Sequence, residues 1–248
     1  MFRRRSLFVA ATAACVVGIG AAAVAPSIRR ELRSRLSSAS IQERVAEVSG
    51  RVRPLWESRL QTVGLPAIPE RLILVADKTA RACLVLAPTG ADGSWVQLAR
   101  YSFTAASGTT GPKLREGDHQ VPEGFYGVES LNPNSRFHLA LRVGYPSPAD
   151  LDAAATDARR RDNLGGDIMI HGGSSSVGCI ALGDSAIEEL FWLVATVGKE
   201  HAELLLTPGP HPTELISAAT PGWLARRYGQ LEARLVELGI SSKAAGPP

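Results

Sequence analysis

From Arg71 onward the chain breaks into short apolar runs separated by turn-forming residues, and this pattern constrains the fold more than any other feature. Runs at Leu72–Ala76, Cys83–Ala87, Trp95–Thr104, Gly124–Ser130, Arg136–Tyr145 and Asp167–His171 predict strands. The first two lie close enough to pair as a hairpin, and Thr89-Gly90-Ala91-Asp92-Gly93 supplies the next turn. Helical spacing comes late. Ile187, Leu190, Phe191 and Val194 share one face of a helix that starts at Asp184 or Ser185, with Glu188 three residues after Ser185. A short strand at Glu203–Thr207, a proline-rich loop and a final helix near Trp223–Leu238 follow. Strands first and helices late predict an all-β or α+β core rather than a doubly wound α/β sheet.

The N-terminal part reads differently. Arg3, Arg4 and Arg5 precede an uncharged stretch, Leu7 to Ala25, that ends in Ala23-Val24-Ala25. That order suits a secretory signal peptide, while 19 residues also just span a bilayer. Pro26 would hinder cleavage, which favours an N-terminal membrane anchor. Either reading predicts export to the periplasm or cell envelope, with membrane contact through residues 1–25 if the leader stays attached. The net charge of +3 belongs to those three arginines, since residues 62–248 carry 16 basic and 20 acidic side chains. A slightly acidic body with no basic patch excludes a nucleic-acid partner. Residues 26–69 predict a helical linker or stalk. In it Ile41, Val45, Val48, Val52, Leu55 and Trp56 recur at helical spacing, with Gly50 and Pro54 as interruptions. A helix packed on the domain's own surface fits the same pattern. Residues 70–200 then form the main domain, and residues 201–248 a C-terminal extension with a terminal helix.

The chemistry concentrates in Asp167-Ile168-Met169-Ile170-His171-Gly172-Gly173-Ser174-Ser175-Ser176-Val177-Gly178-Cys179-Ile180-Ala181. An apolar strand delivers His171 into a Gly/Ser-rich loop, and eight residues later comes Cys179. A cysteine nucleophile needs a base to take its proton, which a nearby histidine supplies. It also needs backbone N–H donors for the oxyanion of a tetrahedral intermediate, and Gly178 lets the backbone come close enough to provide one. On spacing alone, a buried structural cysteine and a loop histidine account for the pair more readily than catalysis does. Three cysteines in 248 residues exclude a disulfide-dense scaffold. Cys15 lies in the leader, and Cys83 falls within an apolar strand, where an inert core thiol is expected. A Cys83–Cys179 disulfide is the alternative in an exported protein.

This stretch resembles the YkuD-type L,D-transpeptidase catalytic domain, and within that family the YafK-like murein transpeptidase branch. The resemblance extends to Gly111-Pro112-Lys113-Leu114-Arg115-Glu116-Gly117-Asp118, Val121-Pro122-Glu123-Gly124-Phe125-Tyr126, Asn132-Pro133-Asn134-Ser135-Arg136-Phe137-His138-Leu139, Gly144-Tyr145-Pro146 and Asp184–Leu190. It covers about residues 70–198, with a fainter echo near 221–231. It implies a mainly β, α+β fold, a barrel-like sandwich with flanking helices. It implies that Cys179 attacks a carbonyl of a peptidoglycan stem peptide beside meso-diaminopimelate and expels D-alanine. His171 would serve as base and then acid, and the Gly172 carbonyl would orient the imidazole. The thioester would pass to an amine acceptor, to a murein-linked lipoprotein, or to water, which would make the chain a hydrolase of the same family. Many YkuD-type enzymes place Ser-His-Gly-Cys at the nucleophile, whereas this chain has Ser176-Val177-Gly178-Cys179. The missing second histidine leaves open a non-catalytic murein-binding module. A papain-like protease has its cysteine before its histidine, the reverse of the order here.

Arg136 and Arg115 are candidates to hold a substrate carboxylate, because a guanidinium binds carboxylate through two parallel hydrogen bonds. His138 shares a strand face with Arg136 and Ala140 that can line the substrate groove. Ser176 can donate a hydrogen bond near the oxyanion. Arg136, Arg115 and His138 are equally readable as surface or core residues, and Ser176 is more readily a residue that turns the loop. Glu116, Asp118 and Glu123 are explained by turn chemistry around Gly117 and Pro122. The central histidines lack the close pairing of zinc sites, so no metal is expected, and nothing calls for a cofactor.

Overall fold

The structure, a computed structural model, describes residues 38–90 and 93–240. The leader, the start of the expected stalk and the C-terminal tail lie outside the described residues. Within them no helix is long and apolar enough to cross a membrane.

Nine strands form one mixed sheet: β1 (Leu72–Asp77), β2 (Ala82–Pro88), β3 (Trp95–Ser102), β4 (Ala105–Ala106), β5 (Gly124–Ser135), β6 (His138–Val143), β7 (Met169–His171), β8 (Ile180–Ala181) and β9 (Ala202–Thr207). Their spatial order is β3-β2-β1-β9-β5-β6-β7-β8-β4. The two ends of that order, β3 and β4, are only two residues apart along the chain. Phe103 N–H donates to Arg81 O on the β1–β2 side, and Thr104 N–H donates to Ala181 O in β8. The sheet therefore rolls until its edges nearly meet, which is the expected barrel-like architecture. Two register shifts in the long β5 strand, between Val128 and Ser130 and between Asn132 and Ser135, help it bend from one half to the other.

The apolar runs are continuous because both faces of β1, β2 and β9 are covered. Leu72, Leu74, Ala76, Cys83, Val85, Leu204 and Leu206 face one hydrophobic cluster, while Ile73, Val75, Leu86 and Leu205 face another. The second cluster is closed by Tyr228, Leu231 and Leu235 of the C-terminal helix, Gly222–Glu237. The first is closed by the helix Asp184–Val197, which buries Ile187, Leu190, Phe191 and Val194 as its spacing predicts. A short helix at Pro148–Thr156, capped by a reciprocal Ser147–Asp150 box, was not anticipated.

Of the two readings of the region after the leader, the structure shows the helix packed on the domain itself, without the expected break. Ile41–Thr62 is one continuous helix, with Gly50 and Pro54 on its exposed side. Val48, Val52, Trp56 and Leu60 are buried in the same cluster as the sheet, while Leu55 points outward. Trp56 Nε1 donates to Glu189 O at 3.0 Å, and Trp192 Nε1 donates to Ser49 Oγ at 2.7 Å. This helix is a wall of the domain. Labelling the helices in chain order gives α1 (Ile41–Thr62), α2 (Pro148–Thr156), α3 (Asp184–Val197) and α4 (Gly222–Glu237).

Candidate active site

β7 and β8 run parallel with Ile170 opposite Ile180 and His171 opposite Ala181. Side chains alternate across a strand, so His171 and Cys179 both point away from the Ile170/Ile180 face. Cys179 stands immediately before β8, making it a diagonal neighbour of His171. A three-residue strand, a loop and a two-residue strand are enough to bring the pair to one face.

His171 is buried, and its ring stacks on Phe137 with centroids 4.6 Å apart and an interplanar angle of 24°. Its Nδ1 lies 2.7 Å from Gly172 O. A carbonyl can only accept, so Nδ1 carries the proton and Nε2 is left with its lone pair. Burial disfavours the imidazolium and lowers the pKa of His171, against an opposing push from the Gly172 carbonyl. The neutral, Nδ1-protonated ring is the form a general base requires.

The thiol of Cys179 is half-buried. Its sulfur accepts the Met169 N–H at 3.4 Å and donates to Asp167 O at 3.5 Å. Asp167 has a positive φ of 55° and is held by Arg142 at 2.6 Å, an arrangement that aims its carbonyl at the sulfur. Burial pushes the thiol above its ordinary pKa, and the negative charge of Asp167 adds to this, while the Met169 N–H and the charge of Lys113 oppose it. Burial thus shifts both groups toward the neutral thiol and imidazole and away from the ion pair. Alkylation of Cys179 by iodoacetamide is expected to accelerate only at pH values above the inflection of a free cysteine. An inflection in the acidic range would show a preformed ion pair instead.

Gly178 has φ of 81°, a left-handed conformation open to glycine without strain. Its N–H, expected to serve the oxyanion, donates to Ser107 Oγ at 2.5 Å, and Ser107 Oγ donates onward to His119 O at 2.8 Å. That donor is therefore occupied at rest, a correction to the simple expectation. Ser176 Oγ, by contrast, is a buried polar atom with no hydrogen-bond partner among the described residues.

Arg136 is exposed, lies over the Phe137 ring at 5.9 Å, and makes no ion pair among the described residues. Phe137 thus links its guanidinium to the His171 side of the site. Arg115 is exposed as well, but its contacts are those of its backbone. Its N–H donates to Asp118, and its carbonyl accepts from Lys113, with nothing tying its guanidinium to Cys179. His138 does not stand free on a groove-lining face. It begins β6 with φ of 75°, and its Nε2 lies 2.7 Å from Glu188 Oε1, while Glu188 Oε2 pairs with Arg51 of α1. That triad pins the β5–β6 turn to two helices.

Four neighbours of the site were not legible as such in the sequence: Ser107, Lys113, Phe137 and Asp184. Each arrives from a loop or element end; Lys113, Phe137 and Asp184 stand inside segments of the family resemblance that gave them no role, and Ser107 stands in none. Cys83 is buried and unpaired, its thiol pushed up to about 12 by burial, so it is the inert core residue and no Cys83–Cys179 disulfide forms.

A thiol and a singly protonated imidazole on one face of a rolled, mainly β sheet are the parts that thiol-based acyl transfer requires. Residues 71–201 match the YkuD family, described as the L,D-transpeptidase catalytic domain, and the chain belongs to that family. It is 38% identical over 96 residues to YafK of Escherichia coli (strain K12), whose name assigns it an L,D-transpeptidase activity provisionally. Those residues are 38% of this chain and 36% of that protein, so the chain spans about a third of the length of the curated relatives it matches. Among solved structures, the helical cell shape determining protein Pgp2 from Campylobacter jejuni is similar at 23% identity and TM-score 0.44, covering 62% of this chain and 55% of that one. Mycobacterium tuberculosis L,D-transpeptidase 1 is similar at 17% identity and TM-score 0.32, covering 55% of this chain and 62% of that one.

Proposed function

We propose that this chain is a peptidoglycan-modifying cysteine acyltransferase, an L,D-transpeptidase that works outside the cytoplasm on meso-diaminopimelate-containing stem peptides. The observation that carries the reading is the His171 imidazole held with Nδ1–H on the Gly172 carbonyl, which leaves Nε2 its lone pair, on the same strand face as Cys179. In the first step His171 Nε2 takes the thiol proton as sulfur bonds to the carbonyl carbon beside diaminopimelate. The C–N bond then breaks, and the proton passes to the departing D-alanine amine. In the second step an acceptor amine adds to the thioester carbon, the C–S bond breaks, and the proton returns through His171 to the thiol. Moving the proton with the attack, rather than before it, suits a pair whose pKa values burial pushes toward the neutral forms. The Cys179 N–H, and the Gly178 N–H once Ser107 releases it, supply oxyanion donors. Arg136, over the Phe137 ring that stacks on His171, is the better placed of the two arginines to hold a substrate carboxylate.

A second reading, hydrolysis of the same thioester, is favoured by the loop before the nucleophile, in which Ser174, Ser175 and Val177 are exposed and Val177 is 70% accessible. Water reaching the thioester competes with an amine acceptor or a murein-linked lipoprotein. Both readings are tested by incubating the purified protein with tetrapeptide-bearing murein and resolving the products by mass spectrometry. New cross-links or exchanged termini support transfer, and shortened or detached peptides support hydrolysis. A product profile identical to that of murein alone would leave a non-catalytic murein-binding module.

A further inference from the structure

The Gly172 carbonyl that orients His171 and the Gly173 N–H belong to one planar peptide unit. The carbonyl end meets His171 Nδ1 at 2.7 Å, and the N–H end donates to Asp184 Oδ1 at 2.8 Å. Asp184 is the first residue of α3, where the helix's positive end favours a carboxylate. The fit is tight. A Cβ on Gly172 would lie 2.6 Å from Asp184 Oδ1 and 2.7 Å from Phe137 O, so only glycine lets the carboxylate and the peptide approach this closely. Thr104 Oγ1 donates to Gly173 O at 2.7 Å and fixes the next peptide along.

We propose that Asp184 is the carboxylate of the Cys179–His171 pair, a positioning residue that acts on the imidazole through the Gly172–Gly173 peptide. This rests on the acyltransferase reading of Cys179 and His171. In a serine-protease triad the carboxylate accepts the hydrogen bond from Nδ1–H directly, holding the tautomer and stabilising the imidazolium. Here one peptide stands between them. A carboxylate that accepts the Gly173 N–H polarises that peptide, making the Gly172 oxygen a stronger acceptor, because linked hydrogen bonds reinforce one another. No proton leaves the imidazole for Asp184; the carboxylate stabilises the positive charge that His171 gains as Cys179 attacks.

Of the other titratable groups on elements packed against His171, Arg136 lies over the Phe137 ring without an ion-pair partner among the described residues, and its positive charge opposes the imidazolium instead of stabilising it; the rest are paired. On β6, His138 pairs with Glu188, and Arg142 pairs with Asp167 and Glu129. Glu189 of α3 pairs with Arg59, and Lys113, in the loop before β5, pairs with Asp118. Burial favours the neutral form of Cys179, and a Cys179→Ala parent removes it. Asp184 is the carboxylate joined to the imidazole by a continuous hydrogen-bonded path.

The test is the His171 titration, followed by nitrogen-15 NMR in full-length protein carrying Cys179→Ala. Asp184→Asn keeps an oxygen acceptor for the Gly173 N–H and removes only the charge. It is expected to lower the His171 midpoint by about one pH unit while Nδ1–H is retained. On the Cys179 background, Asp184→Asn is expected to lower kcat about tenfold with KM little changed. A folded Asp184→Asn variant with an unmoved His171 midpoint overturns the proposal and leaves Asp184 as a loop anchor. A second measurement needs no change at Asp184: the Gly173 amide resonance should move with the His171 midpoint in the Cys179→Ala parent. An amide that stays still across that titration also overturns the relay. Neither NMR readout uses substrate. A murein assay without Cys179-dependent products would therefore remove the enzymatic reading and still leave the relay decided.

Discussion

Cys179→Ala is expected to lower the rate of product formation on tetrapeptide murein by a factor on the order of 10⁴ or more, the scale on which removing a covalent nucleophile operates. The thioester needs a sulfur at this position, and the other described thiol, Cys83, lies sealed in the core. Cys179→Ser should be nearly as damaging. A buried hydroxyl beside a histidine whose own pKa is lowered by burial is a far poorer nucleophile than a thiol. His171→Ala should cost less, roughly 10²–10⁴-fold, because it removes proton transfer but not the nucleophile. The order of the three variants matters as much as their sizes. Stability should hardly move, since the sulfur is half-buried and makes only two weak hydrogen bonds. Thermal melting alongside product analysis separates a dead site from an unfolded domain. Undiminished turnover by a folded Cys179→Ala variant would end the thioester mechanism.

The strands that the sequence predicted well are those whose side chains meet apolar neighbours on both faces or on one face in strict alternation. β1, β2 and β9 are legible because two separate clusters claim alternate residues of each. β4 and β8 were missed because two residues carry no periodicity, yet β8 is what sets Cys179 beside His171. The opposite failure occurred in α1. Gly50 and Pro54 weaken a helix locally, but burying Val48, Val52, Trp56 and Leu60 outweighs that loss, and both breakers face solvent. Within the site, His171, Gly172 and Cys179 are legible because they fall in one short stretch with a family resemblance. Asp184 was read only as a possible helix start within the family resemblance, since nothing in the chain between 173 and 184 reveals that the loop folds back onto its carboxylate. His138 was misplaced for a related reason. Its strand alternation was assigned without the positive φ that starts β6, and its partner Glu188 lies 50 residues away.

Glu123 shows how far local pattern can mislead about energetics, and its removal is the largest stability effect expected. Read from the sequence, it belongs to a turn around Pro122. In the fold its side chain has no solvent exposure, and that of Lys78 only 7%. Glu123 Oε1 accepts from Lys78 Nζ and Gly111 N–H, both at 2.8 Å, and Oε2 accepts from Tyr228 OH at 2.6 Å. Glu123→Ala strands the Lys78 charge with only the carbonyls of Gly111 and Val121, and frees a buried tyrosine hydroxyl. Breaking one partner of a buried pair costs about 3–5 kcal/mol, readable as a lower urea midpoint at pH 7. The pH dependence has a definite sign. Burial already lowers the Lys78 pKa against the pull of Glu123, and without that carboxylate it falls further. A lysine with a folded pKa below its unfolded one binds fewer protons when folded, so stability rises with pH between the two values. The deficit of Glu123→Ala should therefore be fully present at neutral pH and shrink as pH approaches 10. Replacing both partners at once, as Lys78→Met with Glu123→Leu, should recover much of the loss. A deficit below about 1 kcal/mol, or one that stays constant with pH, would mean that the pair is not the anchor its geometry describes. The pair also ties down Gly111 and Val121, near both ends of the loop that carries Lys113 and Asp118. A folded Glu123→Ala protein should accordingly show a Cys179 alkylation inflection displaced further upward, as the Lys113 charge loses its fixed position near the sulfur.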